Sequence, residues 1–401
     1  MRKNMIVTLK DITTKITKGT TPTSIGCKFE KSGINFIKSE SLVDGKTIDK
    51  SKFAFISERT HERLKRSQIE ENDILFSMAG MFLGKTGIAT AEVVPANTNQ
   101  AVAIIRVDDT KANYEYVYYY LNQKSVIHTI NTTSAQSAQP NINLKQIGKI
   151  KINLPNRKKQ DQIVSLLSAI DLKISNNVEI NDNLEQQAAT YFQELFINNA
   201  NPMWQISTIS DLGTVVGGST PSKTKPEYYT NNGIAWITPK DLSINKSKFI
   251  SHGENDITEL GLKNSSATVM PKGTVLFSSR APIGYIAIAS NEVTTNQGFK
   301  SVIPYSEIGT AFVYFFLKHS LPVIESAASG STFKEISGSA MKNIPAIIPD
   351  RNTLDQFNSF CAPIFAQQKI LEEQNHSLAM LRDSLLPKLM SGAIDIASIQ
   401  L

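Results

Sequence analysis

The chain is written twice. Gly19-Thr20-Thr21-Pro22 returns as Gly218-Ser219-Thr220-Pro221, and Ile34-Asn35-Phe36-Ile37 with Leu42 returns as Ile234-Ala235-Trp236-Ile237 with Leu242. Leu75-Phe76-Ser77 matches Leu276-Phe277-Ser278, and Thr98-Asn99-Gln100 matches Thr295-Asn296-Gln297. Tyr116 to Leu121 matches Phe312 to Leu317, and Pro155, Arg157, Asp161 and Gln162 recur as Pro349, Arg351, Asp355 and Gln356. The order is kept throughout while the offset moves only between 194 and 201. Small loop insertions explain such drift; chance similarity does not. A repeat of this length fixes the architecture that every motif must sit in: two copies of one folding unit.

Each copy changes character partway along. Its first part mixes short β-branched and aromatic runs (INFI, DILF, AVAIIRV) with Gly, Pro and Asn punctuation, the pattern of strands and loops with a few helices. After Pro155 the text becomes helical. Ile163, Leu167, Ile170, Ile174, Asn177, Asn181, Leu184, Ala188, Tyr191 and Leu195 alternate four and three apart, with no Pro or Gly from 156 to 201. A helix of that length is a rod of about 60 Å. Phe357, Phe360, Ile364, Leu371, Leu378, Leu381 and Leu385 give a comparable stripe between Asp355 and Pro387, with Pro363 a candidate kink or restart. The expected fold is therefore α+β: two repeated mixed α/β domains separated by two long antiparallel coiled-coil helices, a dumbbell with pseudo-twofold symmetry. The divisions fall at 1–155, 156–200, 201–349 and 350–401. Asn177 and Asn181 on the seam are candidates for setting register, although a stretch carrying them could equally splay apart or face solvent.

Composition narrows the function classes. The 401 residues allow two or three ordinary domains. The opening MRKNMIVTLKD holds no apolar core of signal-peptide length and no later run approaches a membrane span, so a cytoplasmic protein with no membrane partner is expected. Cys27 and Cys361 are far apart with no metal-ligand spacing around them, which supports neither a disulfide framework nor a zinc site. The formal charge is +6, 42 basic against 36 acidic residues. The helical segments 157–200 and 351–395 together hold 8 basic and 11 acidic residues, which leaves +9 on the globular parts. Basic charge is placed where a polyanion would be read.

At this point the sequence resembles the specificity subunits of type I restriction–modification systems, across nearly its whole length. The resemblance is carried by the duplicated Gly-x-x-Pro openings at Gly19 and Gly218 and the paired Thr-Asn-Gln at 98 and 295. It continues in Tyr191-Phe192-Gln193-Glu194-Leu195-Phe196 and, most specifically, in Leu381-Arg382-Asp383-Ser384-Leu385-Leu386-Pro387-Lys388-Leu389 followed by Ser391-Gly392-Ala393-Ile394. What it implies is a pair of target-recognition domains, each reading one half of a split, asymmetric site in double-stranded DNA. The helices would act as a ruler and as a docking surface, around Tyr191, Leu195, Leu381 and Leu385, for methyltransferase subunits, expected to be two, and for restriction/translocase subunits. No cofactor is expected on this chain; S-adenosylmethionine, ATP and Mg²⁺ would belong to those partners.

The repeat is its own control for nominating base readers. Residues shared by both copies are scaffold, whereas polar residues that differ within matched segments can read different half-sites. In the first copy these are Lys38, Ser39 and Glu40 after INFI, Met78 and Met81 after LFS, and Gln136, Ser137 and Gln139 in the polar stretch TTSAQSAQPN. Their counterparts are Thr238 and Lys240, Ser279 and Arg280, and Ser331, Thr332 and Lys334. Arg280 could take a guanine bidentately, and Gln136 or Gln139 an adenine; a phosphate contact or a solvated loop is the plainer reading of each. The shared Thr-Asn-Gln is assigned to loop-holding hydrogen bonds.

Two motifs tempt and fail. Ala79 to Thr86 fits a relaxed Walker A pattern, but a phosphate loop must open a helix, and GIATAEVVP follows instead. Asn201-Pro202-Met203-Trp204 has the look of an amino-methyltransferase signature yet stands at the end of the long helix with no Gly-rich methyl-donor loop upstream, so it reads as a helix stop. The five histidines are scattered, and no nuclease or Ser-His-Asp set can be nominated. The chain is expected to be non-catalytic. A two-headed coiled-coil adaptor and a degenerate adenine methyltransferase remain as alternatives.

Overall fold

A computed structural model describes residues 5–43, 45–134, 141–330 and 334–396. The chain divides into two compact units. One holds the residues up to Leu172 together with those from Leu378 on; the other is Lys173–Ser377. The fold is α+β, and each unit repeats one plan.

In the first unit, Thr13–Lys18, Val102–Val107, Ile74–Ser77 and Thr86–Ile88 form an antiparallel sheet in that spatial order. A second sheet runs Ala54–Ile56, Ile34–Ile37, Ala96–Thr98, Gln68–Ile69, with Ile34–Ile37 and Ala96–Thr98 parallel. Met5–Thr8 pairs with Lys151–Leu154. In the second unit the corresponding strands are Gly213–Gly217, Lys300–Pro304, Val275–Ser279 and Ile283–Ala289, extended at the edge by Phe249–Ile250. Ile234–Ile237 again lies parallel to Thr294–Thr295, and Gln205–Thr208 pairs with Pro345–Ile348.

The LFS runs form the middle of this plan. Successive strand residues face opposite sides of a sheet, so Ile74 and Phe76 enter the core packed on the helices while Leu75 enters the core between the sheets. Val275, Phe277 and Leu276 divide in the same way in the second unit. These strands are buried on both faces, which is why they read as continuous apolar runs rather than alternating ones.

Helix Tyr114–Leu121 in one unit and Thr310–His319 in the other cover the sheet with aromatic side chains. Asn113 caps the first by accepting from the backbone N–H groups of Glu115 and Tyr116.

The long helices span Arg157–Gln193, closed by a π turn at Glu194–Asn198, and Arg351–Ser391. Within each unit they run antiparallel. In the first, Ile163 and Leu167 share a core with Leu386, Leu389 and Met390, and Arg382 donates to Asp171. In the second, the Tyr191 ring packs on Phe357 and Phe360, and the Asn177 amide donates to Asn375 Oδ1 at 2.9 Å. Asn177 is fully buried, so the polar seam position is packed inward, not splayed into solvent. The helix runs unbroken through Pro363, the candidate restart, and on through Pro387. A proline inside a helix costs about 3 kcal/mol; burial of Cys361 and Ile364 beside Pro363, and of Leu386 and Leu389 beside Pro387, offsets it.

Candidate nucleic-acid interface

The two family signatures are halves of one device. A Cβ on Gly19 would lie 1.8 Å from the Thr98 carbonyl oxygen, and one on Gly218 would lie 1.9 Å from that of Asn296. Only glycine lets the backbone come this close. The approach is then stitched: Thr20 N–H donates to Thr98 O at 3.0 Å, and Ser219 N–H to Thr295 O at 2.8 Å. The hydroxyl of Thr21 donates to Gln100 Oε1, and that of Thr220 to Gln297 Oε1. Asn99 and Asn296 turn inward, accepting from the N–H groups of Ala101 and Gly298. Thr98 donates to the Ile37 carbonyl at 2.7 Å, whereas the buried Thr295 hydroxyl finds no partner among the described residues and Thr294 donates to Ala235 instead.

Onto this frame the remaining loops converge. In the second unit Asn296 N–H donates to Ile237 O, which seats Thr238 and Pro239 against the Asn296–Gly298 turn. Ser279 N–H donates to Gly298 O, and Ile336 N–H to Ser279 O. In the first unit Met78 N–H donates to Ala101 O, and Ile142 N–H to Met78 O. The segments after INFI, after LFS and at the end of the polar stretch thus meet beside Thr-Asn-Gln.

The nominated residues divide. Lys38, Ser39 and Glu40 are at least partly exposed; Lys38 lies 3.7 Å from Glu40 and over the Phe29 ring. Lys240 is exposed and paired with Glu254, and Lys334 is exposed. Arg280 is partly exposed and donates to Glu335 at 3.3 Å, with Lys300 3.6 Å from the same carboxylate. Thr238 is spent on a capping box with Asp241. Two assignments are corrected. Met78 is 6% exposed and belongs to the core under the helices, and Ser279 is 0% exposed inside a sheet strand. Met78, one residue past its strand, joins Ile74 and Phe76 in the core, and Ser279 ends a strand buried on both faces; Met81, at 89% exposed, is the side chain that the first loop presents. Gln136, Ser137, Gln139, Ser331 and Thr332 lie outside the described residues.

Of the docking residues, Leu381 is 48% exposed. Tyr191 and Leu195 pack against the second unit's core and Leu385 against the first unit's, so each is only partly available.

Sequence reasoning missed a lysine clamp in each unit. The Lys46 carbonyl accepts from Ile88 N–H and the Lys248 carbonyl from Ile288 N–H, which makes the two lysines equivalent. Lys46 reaches Glu115 and Ser168, over the Tyr119 ring. Lys248, itself buried, bonds Glu185 and Gln368 and lies 4.0 Å from the centre of the Phe365 ring. Glu372 accepts from the backbone N–H groups of Lys248 and Phe249 at 2.7 and 3.0 Å. Burial pushes the Lys248 ammonium down and the Glu372 carboxyl up. Burial works against the Glu185 anion too, but Lys248 and Lys318 draw its carboxyl below the ordinary range. The Lys46 clamp fastens its domain to Arg157–Gln193, and the Lys248 clamp fastens the other to both long helices of its unit. The signal lay in two lysines 202 apart, one residue beyond the offsets of the matched segments, in stretches otherwise too dissimilar to align.

Past Lys85 the chain enters strand Thr86–Ile88, not a helix, so the Walker-like text forms a hairpin turn. Met203 N–H donates to Asn201 Oδ1, and the Trp204 indole packs on Phe196 while donating to Asp350; this is a pinned helix stop. Among the described residues no cluster of His, Cys, Asp or Glu could hold a metal, and no helix is long and apolar enough to cross a membrane.

Two domains of one build, each presenting differing side chains from a shared loop frame, define a two-headed recognition protein. Residues 1–186 and 201–375 match the type I restriction modification DNA specificity domain, and the chain belongs to that family. It is 43% identical over 162 residues to the MjaIX type I restriction enzyme specificity subunit of Methanocaldococcus jannaschii, covering 40% of this chain and 37% of that protein. To the HindI specificity subunit of Haemophilus influenzae it is 22% identical over 357 residues, covering 70% and 77%. This chain therefore aligns with little more than a third of the first relative's length. Among solved structures, the S subunit of a type I restriction–modification system from M. genitalium shares the fold, with a TM-score of 0.57 at 16% identity over 96% of each chain. The named relatives are specificity subunits of type I restriction enzymes.

Proposed function

We propose that this chain is the sequence-reading subunit of a cytoplasmic type I restriction–modification assembly, and that each unit reads one half of a bipartite, asymmetric site in double-stranded DNA. The observation that carries the proposal is the loop cluster. The same Gly-x-x-Pro and Thr-Asn-Gln frame occurs in both units, while the exposed side chains around it differ: Lys38, Ser39, Glu40 and Met81 in one, Lys240, Arg280 and Lys334 in the other. A constant frame with variable tips is what reading two different half-sites requires. Arg280, released from Glu335, offers a fork for guanine.

Methyltransferase subunits, two of them, and restriction/translocase subunits would supply the chemistry, with S-adenosylmethionine, ATP and Mg²⁺ bound on them. The chain passes between the units inside the two long helices, which makes those helices the natural spacer and Leu381 a natural docking point.

The test is duplex binding by the chain with its methyltransferase subunit across a salt series. Several phosphate contacts impose a steep loss of affinity with salt; an adaptor that binds protein through its heads gives no duplex affinity to lose.

A further inference from the structure

We propose that Gln100 and Gln297 are paired phosphate anchors, one in each recognition domain, that fix the register of the reading loops on the duplex. The inference rests on the DNA-reading role proposed above and adds to it a site within the loop frame.

Both glutamines are exposed although their motif is otherwise consumed in holding the loop together. The oxygen of each amide is occupied by a threonine hydroxyl, from Thr21 to Gln100 and from Thr220 to Gln297. Among the described residues no protein acceptor meets either Nε2 group. An amide held by its oxygen presents two N–H donors in a fixed direction, and so selects an acceptor. The threonines are themselves fixed by the glycine approach at Gly19 and Gly218. A cation attends each site: Arg66 donates to the Thr20 hydroxyl at 3.1 Å, and Lys300 lies 3.5 Å from the Gln297 carbonyl oxygen.

The repeat identifies the acceptor. Two domains that read different half-sites carry the same glutamine in the same hold, while the tips beside it differ. A donor common to both must contact what both half-sites share, and a duplex offers phosphate oxygens at every step; glutamine is among the side chains that take them. Adenine readout would instead need the amide oxygen as an acceptor for N6–H, and that oxygen already serves threonine.

The experiment uses the full chain with its methyltransferase subunit, a duplex carrying the motif that the complex methylates, and an unrelated duplex. Gln100→Leu and Gln297→Leu are each expected to weaken binding to both duplexes by the same factor, about tenfold for one lost bond to a charged acceptor. Loss on the methylated motif alone would make the residue a base reader and overturn the proposal. Unchanged affinity on both duplexes would overturn it while leaving the sequence-reading role intact. Failure of the unsubstituted complex to bind either duplex would overturn both. Should a leucine variant not fold, single methylphosphonate substitutions that neutralise one phosphate at a time keep the question open to measurement. One position in each half-site should weaken the unsubstituted complex about tenfold, and at that position Gln100→Glu or Gln297→Glu should recover affinity relative to the charged duplex. Absence of any such position contradicts the anchors.

Discussion

Gly19 and Gly218 are required by contact, not by torsion, since neither has a positive φ. Any side chain there meets a backbone carbonyl within 2 Å. Gly218→Ala should therefore destabilise the second unit by about 3 kcal/mol, the upper range of overpacking, and the Thr220–Gln297 bond should open with it. Thermal unfolding of the full chain, with the Trp204 and Trp236 fluorescence that reports only on this unit, measures the effect. The Lys248 clamp makes the opposite kind of prediction. Lys248→Met leaves Glu185 partly buried with only Lys318 and Tyr314 beside it, at a cost of about 3 kcal/mol. The double variant Lys248→Met, Glu185→Gln should recover most of that loss. Because Glu185 titrates below the ordinary carboxylate range, its contribution is fully present above that range and is lost as pH falls through the lowered folded value. Unfolding midpoints between pH 6 and pH 3, in the unsubstituted chain and in Glu185→Gln, separate this contribution from general acid destabilisation.

At the scale of elements, the LFS strands and the heptad stripe were legible because burial writes a period into the sequence. The clamp lysines were not, because a buried ion pair has no period and its partners stand more than 60 residues away along the chain. The same logic separates the nominated readers. Nomination by difference between copies picked loops that meet beside Thr-Asn-Gln, but a difference says nothing about direction, and the side chains of Met78 and Ser279 are buried. Continuity of the helix through Pro363 was equally hidden, since it depends on neighbours packed from elsewhere in the chain. The docking prediction belongs here too. Leu381→Glu should weaken assembly with the methyltransferase subunit and leave the unfolding midpoint unchanged, because its side chain is half exposed. Leu385→Glu should weaken assembly and also lower stability by about 2 kcal/mol, since it packs on the first unit's core. Co-purification and calorimetry of the two variants distinguish these outcomes.

For the whole molecule, duplication would let one chain read the asymmetric site proposed above. A single recognition domain used twice by a dimer would read two like halves; fusing two copies lets the tips diverge while the frame stays common. Divergence is already large at the tips and small in the frame, where Gly-x-x-Pro and Thr-Asn-Gln persist in both units. The two units are expected to read independently. Adenine-methylation mapping of a host genome, with this chain and its methyltransferase subunit, tests it against a variant in which residues 201–349 are replaced by the matching stretch of a family relative. The expected result is a split motif of which one half changes and the other is retained. A motif altered in both halves, or unaltered in either, would contradict it.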